Sequence, residues 1–230
     1  MRSRPRLECR RMTRERISQL LAPFLGADVI SEDKLAMISD YLDLLVGWNA
    51  KINLTALRDP EDMVTRHFGE SLFTARHLFR TFERQSLVDI GTGAGFPGLP
   101  AKIWQPQLEL TLIESQHKKT VFLKEVIRTL RLSNTVVLAS RAETVRSQAD
   151  VVTFRAVERF DAIVGSAHRM VKPGGRLVLL IGKSRIVTVR HLLADVLWEP
   201  PLPIPLSTNR ILLLGRRPSS QALESENTAE

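Results

Sequence analysis

The chain has 230 residues, 43% hydrophobic and 25% charged, the balance of an ordinary globular protein with one good core or one domain plus a small accessory unit. No apolar run nears the roughly 20 residues of a membrane span, and the first residues lack the apolar stretch of a secretory leader. A single cysteine, Cys9, excludes an internal disulfide and fits a reducing cytoplasm; 33 Lys+Arg against 25 Asp+Glu, net +8, suits either a polyanionic partner or a bland basic surface.

The opening MRSRPRLECRRMTRER sets seven arginines against two glutamates with no apolar period. Residues 1–13 therefore read as a disordered basic arm, either an RNA grip or an untranslated stretch ahead of a start at Met12. Residues 14–85 read as a helical segment. Ser31 is an N-cap, and Leu35, Ile38, Leu42 and Leu45 recur at helical spacing up to Trp48. The polar stretch 49–60 breaks the period, and Pro60 opens a helix with Met63, Val64, Phe68, Leu72 and Phe73 on one face. That face is expected to pack on the sheet that follows.

From residue 86 the rhythm changes. Apolar strands at 87–91, 108–115, 135–140, 149–156, 176–182 and 211–217 alternate with helices near 97–105 and 118–132, a short one after 141, one ending about Met170 and one around 185–197. This alternation predicts an α/β domain over 86–217 with a doubly wound, mostly parallel sheet. Residues 218–230 read as a polar, disordered tail. No repeat appears, and the histidines and Cys9 form no HxxxH or CxxC pair, so no metal is expected.

The stretch LVDIGTGAGFPG carries the chemistry. Gly91, Gly93 and Gly95 follow the first strand and precede a helix, where bare backbone lets a ligand approach. They predict an adenine-nucleoside cofactor. GAGFPG matches the GxGxxG of dinucleotide sites, with Glu114 about 20 residues on. Other features favour S-adenosylmethionine. Asp89 would repel a pyrophosphate but could face an ammonium, and Pro97 removes a donor from a phosphate nest. Acids at the ends of three successive strands, Asp89, Glu114 and Glu143, suit an ammonium, a ribose diol and an adenine amino group.

VKPGGRLVLLIG resembles class I methyltransferases, which implies a Rossmann-like, seven-stranded sheet whose last strand runs antiparallel. A narrower resemblance rests on WNAKINLTALRDPEDMVTRHFGESL, VDIGTGAGFPG, ESQHKKTVFLKEV, SRAE and FRAV. Together these look like the small-subunit ribosomal RNA guanine-N7 methyltransferase family, once called glucose-inhibited division protein B, over about residues 14–217. The resemblance implies S-adenosylmethionine as methyl donor, S-adenosylhomocysteine as product, and a guanine of 16S ribosomal RNA or of the small subunit as acceptor. It implies cofactor roles for Gly91, Phe96, Ala142, Glu143 and Arg155. Phe154 stands where the family usually has serine.

Guanine N7 has a lone pair and no proton, so attack on a methyl needs alignment rather than a general base. No Ser-His-Asp or paired-carboxylate set is found, and none is required. The candidates for the acceptor side are Arg155, directed to O6 or a phosphate, Asn53 through its amide, and Arg66 as a phosphate clamp. His67 reads as a helix-packing residue, and Lys118, Lys119 and Lys124 as a solvated face. The rival readings are a small-molecule methyltransferase on the same fold and a cofactor-sensing module without turnover. The chain is expected to act as a cytoplasmic monomer away from membranes.

Overall fold

In the computed structural model, which describes residues 11–79, 84–155 and 160–219, the apolar runs become strands, the central ones buried on both faces and the edge strand at 135–138 partly exposed. β1 (Ser86–Ile90), β2 (Glu109–Ile113), β3 (Thr135–Leu138), β4 (Ala149–Arg155) and β5 (Val171–Gly182) lie parallel in the order β3-β2-β1-β4-β5. The chain steps outward from β1 to β3 and then returns to place β4 against the other side of β1. That reversal opens a crevice beyond the carboxyl ends of β1 and β4, where doubly wound sheets take their ligands.

The other half of the sheet is antiparallel and differs from expectation. β6 (Leu197–Trp198) and β7 (Leu202–Pro203) both pair with β8 (Arg210–Arg216), which runs against β5. The sheet therefore has eight strands rather than seven. Pro200 and Pro201 supply the reason: lacking N–H donors, they cut one edge strand into two. The expected helix over 185–197 is also shorter. A 3-10 turn (Lys183–Arg185) leads into α8 (Ile186–Leu192), and the chain then extends so that Val196 and Trp198 pack over Gly215. A Cβ on Gly215 would lie 2.5 Å from Val196 and 2.6 Å from Trp198, so this glycine makes room for the edge.

Two further expectations are corrected. The helix after residue 141 is only a 3-10 turn, Ala142–Thr144. β5 starts at Val171, not 176, because the Lys172–Gly175 turn is a bulge within it, where the register against β4 shifts. Gly174 N–H donates to Arg217 O at 3.0 Å and ties the bulge to the end of β8.

Helices cover both faces. α1 (Arg14–Leu25), α2 (Glu32–Asn49), α3 (Pro60–Met63), a π-helix (Val64–Gly69), α4 (Glu70–Leu78), α5 (Gly98–Trp104) and α6 (His117–Thr129) pack on one side. α7 (Phe160–Met170) and α8 pack on the other. Ser31 caps α2, accepting from Lys34 N–H at 3.4 Å, and Asp59 caps α3 one residue before Pro60. The strands alternate between the two cores: Leu110 and Leu112 face the N-terminal helices, and Ile113 faces α7. Residues 11–13 of the expected disordered arm are ordered. Arg11 pairs with Asp43 at 2.8 Å, and Thr13 caps α1. Residues 1–10 and 220–230 lie outside the described residues. Among the described residues, no helix is long and apolar enough to cross a membrane.

Candidate active site

The glycine loop leaves β1 with Gly91 at φ 60°, Gly93 at 61° and Gly95 at 94°, a left-handed run closed to most side chains. A Cβ on Gly93 would meet only Gly91 O, at 3.9 Å, so that position opens onto space. The loop is stitched by two carboxylates. Asp89 Oδ2 accepts from Gly98 N–H at 2.8 Å and from the Thr92 hydroxyl at 2.6 Å, while Oδ1 is buried without a partner among the described residues. Burial pushes the Asp89 carboxyl up to about 7 against the pull of these bonds and of Arg155. Glu114 Oε2 accepts from Gly93 N–H at 3.0 Å and Oε1 from Gln116 N–H at 2.8 Å, leaving each oxygen a further lone pair.

Gly91, Glu114, Ala142 and Glu143 converge on one cleft of about 250 Å³ beyond β1, β2 and β3, with Ile113 and Ile163 as apolar walls. Four of the residues singled out in the sequence are thus brought together. Asp89 lies beneath the loop, fully buried. Phe96 does not line the cleft. Its ring is buried between Tyr41, stacked at 5.3 Å and 2°, and His67, stacked at 4.7 Å and 19°, with Phe68 edge-on at 5.0 Å. Tyr41 also donates to Ala94 O. The N-terminal helices therefore prop the loop from behind. The cleft fits a nucleoside cofactor: it offers bare backbone at Gly91 and free lone pairs on Glu114, with the unpaired oxygen of Asp89 buried beneath the loop.

A second, larger cavity of about 620 Å³ opens beyond β4, β5 and β8. Its first wall is the loop after α2. Asn49 holds that loop, its Oδ1 accepting from Leu54 and Thr55 N–H at 3.0 Å and its Nδ2 donating to Leu57 O at 2.9 Å. Asn53, the amide singled out in the sequence, is exposed, accepts from Arg58 at 2.8 Å and does not line the cavity. The second wall is the π-helix, a widened turn of the kind often found at functional sites. It sets Arg66 at the rim and His67 inside, just ahead of Glu70.

Arg155, at the end of β4, enters this cavity rather than the cleft. It donates to Arg66 O at 2.7 Å and to His67 Nδ1, and lies 3.7 Å from Glu70 Oε2. A guanidinium has no acceptor, so His67 Nδ1 must present a lone pair. Its proton then sits on Nε2, which donates to the Thr55 hydroxyl at 2.7 Å. Burial, with Arg155, Arg66 and Arg210 nearby, depresses the His67 pKa to about 2, so the ring stays neutral. Glu70 Oε1 pairs with Arg210 of β8. Burial raises the Glu70 pKa, and the arginines partly offset the shift. Arg185 lies 5.2 Å over the Phe160 ring. Lys183, by contrast, donates to Thr208 O at 2.8 Å.

Helix α7 joins the two spaces: Phe160 lines the cavity and Ile163, one turn on, lines the cleft. Cleft and cavity thus flank the carboxyl end of β4. Glu70, Arg210, Arg185, Phe160 and Tyr41 were not singled out from sequence. Tyr41, the only tyrosine of the chain, offered one signal: a tyrosine on an apolar helix face needs a partner for its hydroxyl.

Comparison with known proteins agrees with this architecture. Ribosomal RNA small subunit methyltransferase G of Xanthomonas campestris pv. campestris (strain B100) is 41% identical over 168 residues, covering 72% of this chain and 77% of that protein. The protein of that name from Chloroflexus aggregans is 44% identical over 161 residues, 67% of each. Among solved structures, magnesium protoporphyrin IX methyltransferase from Synechocystis PCC 6803 with bound SAM superposes with TM-score 0.62 at 13% identity, covering 83% of this chain and all of that one. The ribosomal protein L11 methylase from Lactobacillus delbrueckii subsp. bulgaricus gives 0.57 at 10% identity, over 66% and 79%. At such identities these two speak for the fold alone, that of class I methyltransferases. The family described as rRNA small subunit methyltransferase G matches residues 34–196, and the chain belongs to it.

Proposed function

We propose that this chain transfers the methyl group of S-adenosylmethionine to N7 of a guanine in 16S ribosomal RNA, acting as a cytoplasmic monomer. The observation that carries the reading is the pair of spaces flanking the end of β4, one shaped for a nucleoside and one rimmed by arginines. In the cleft, Glu114 would accept from the ribose hydroxyls, Ala142 and Glu143 would hold the adenine, and Asp89 would balance the ammonium. The bound cofactor supplies an electrophilic methyl.

The residues of the cavity then have only to align a neutral nucleophile and exclude water. Among the described lining residues none is equipped as a general base at neutral pH: the Nδ1 lone pair of His67 is taken by Arg155, and both Glu70 oxygens face guanidiniums. That is the composition N7 attack requires. Arg155 would donate to O6 and leave N7 free. An enclosed apolar pocket would have suited a small-molecule acceptor, whereas Arg66 and Arg185 stand exposed at this one's mouth. The test is incubation with methyl-labelled S-adenosylmethionine and small subunits from cells lacking the protein. Label on a guanine of 16S RNA is expected; label that stays in small molecules would overturn the reading.

A further inference from the structure

Four arginines and one carboxylate line the cavity: Arg66, Arg155, Arg185, Arg210 and Glu70. A pocket that meets a polyanion gains nothing obvious from a buried acid, yet the Glu70 side chain is only 3% exposed, at the cavity floor. Its two oxygens face different guanidiniums, Oε1 that of Arg210 and Oε2 that of Arg155. Those two arginines are themselves largely covered, their side chains 31% and 17% exposed. The other two are exposed and have no carboxylate partner among the described residues. Arg185 is oriented by its stack on Phe160.

We propose that Glu70 determines what enters the cavity: by engaging both inner guanidiniums it keeps phosphate off the floor, so that an uncharged nucleobase enters and its flanking phosphates fall to Arg66 and Arg185 at the rim. This rests on the RNA-methyltransferase reading. The physical basis is competition for donors. A guanidinium facing a desolvated carboxylate is a poorer phosphate ligand: one carboxylate leaves the two guanidiniums a net charge of +1, but phosphate has to compete with it for the same N–H donors and meets its repulsion. A neutral carbonyl or ring nitrogen can still take the remaining N–H groups. Glu70 thus sorts four similar cations into two that read a base and two that position the backbone.

The sorting is measurable as salt dependence. Each guanidinium that grips phosphate adds about 0.7–0.9 to the slope of log affinity against log salt. Binding of an unmodified 16S transcript by Glu70→Gln is expected to steepen by about 1.5 as two arginines are released. Affinity at low salt should rise, preference over an unrelated RNA of equal length should fall, and methyl transfer per bound RNA should drop. An unchanged or shallower slope in a variant that still binds S-adenosylhomocysteine would overturn the proposal. If Glu70→Gln does not fold, single arginine changes decide. Arg66→Gln and Arg185→Gln should each flatten the slope, whereas Arg210→Gln should leave it as it was; equal flattening by all three would overturn the sorting. A wild-type chain that neither binds nor labels the transcript, and does not label small subunits from cells lacking the protein, removes the RNA reading and this inference together. Binding and labelling with unsorted slopes removes this inference alone.

Discussion

The cleft and the cavity lie on either side of one strand end and are built in opposite ways. The cleft is made of backbone and carboxylates drawn from short consecutive stretches, Gly91, Glu114–Ser115 and Ser140–Glu143, each at the end of its own strand. The cavity is made of long cationic side chains from scattered segments: the loop after α2, the π-helix, β4, α7, the turn after β5, and β8. A ligand held mainly by backbone needs a local bend and little else. A ligand read by side chains needs convergence, and convergence is a property of the fold rather than of spacing. Each part can therefore be broken with little effect on the other.

The largest effect is expected from Gly93→Val. A branched residue at φ 61° is strained and would fill the space onto which that position opens. S-adenosylhomocysteine affinity, measured by calorimetry, should fall by more than about 100-fold, a loss of about 2.7 kcal/mol. Transcript binding should persist. Unchanged cofactor affinity in a folded variant would refute the loop assignment.

Arg155→Lys breaks the other side. A lysine cannot reproduce a fork held by Arg66 O, His67 Nδ1 and Glu70. Methyl transfer should drop about 100-fold in kcat/KM through misalignment, with little change in S-adenosylhomocysteine affinity. Loss of cofactor binding instead would move Arg155 from the cavity to the cleft.

Tyr41→Phe tests what the two regions share. It leaves Ala94 O without its buried donor, at a cost of about 1–3 kcal/mol. The melting temperature should fall by several degrees, and cofactor affinity should weaken as the loop loses its prop. A variant of wild-type stability would mean that the contact is dispensable.

The smallest effects concern pH. His67 has a folded pKa near 2, below its unfolded value of 6.5, so its contribution is present above 6.5 and is lost as pH falls below it. Asp89, raised to about 7 from 3.8, works the other way: its contribution is present at low pH and lost as pH rises towards 7. Between pH 7 and 5.5 the two oppose each other, each worth about 1–1.5 kcal/mol. Over that window His67→Gln should gain stability as pH falls relative to the wild type, and Asp89→Asn should lose it. Denaturant unfolding at several pH values reads this directly, and parallel curves for all three proteins would contradict it.

How much of this was legible from sequence follows the same division. Gly91, Glu114 and Glu143 could be placed because a strand end followed by glycine or acid is a local pattern, whereas Ala142 came only from the family resemblance. Arg155 could be picked out, but not the wall it joins. Glu70 sits four residues after Arg66, a spacing that on an exposed helix means a weak surface pair; here the helix face is turned inward and the acid is buried. Arg210 carried no local signal, because only the antiparallel return of β8 against β5 brings it to Glu70. Asn53 stands out as a polar residue in a polar loop, yet Asn49, read only as the first residue of that stretch, holds the loop's backbone together. The edge strand was missed because two prolines break its pattern into pairs.

The most direct measurement of the division between cleft and cavity is a crystal structure of the chain with S-adenosylhomocysteine. The nucleoside is predicted to lie over Gly91 and Gly93 with its ribose on Glu114 and its sulfur towards the end of β4, leaving the arginine cavity open to a base. A nucleoside seated among Arg66, Arg155 and Arg210, or a cleft filled by the protein's own side chains, would contradict the account.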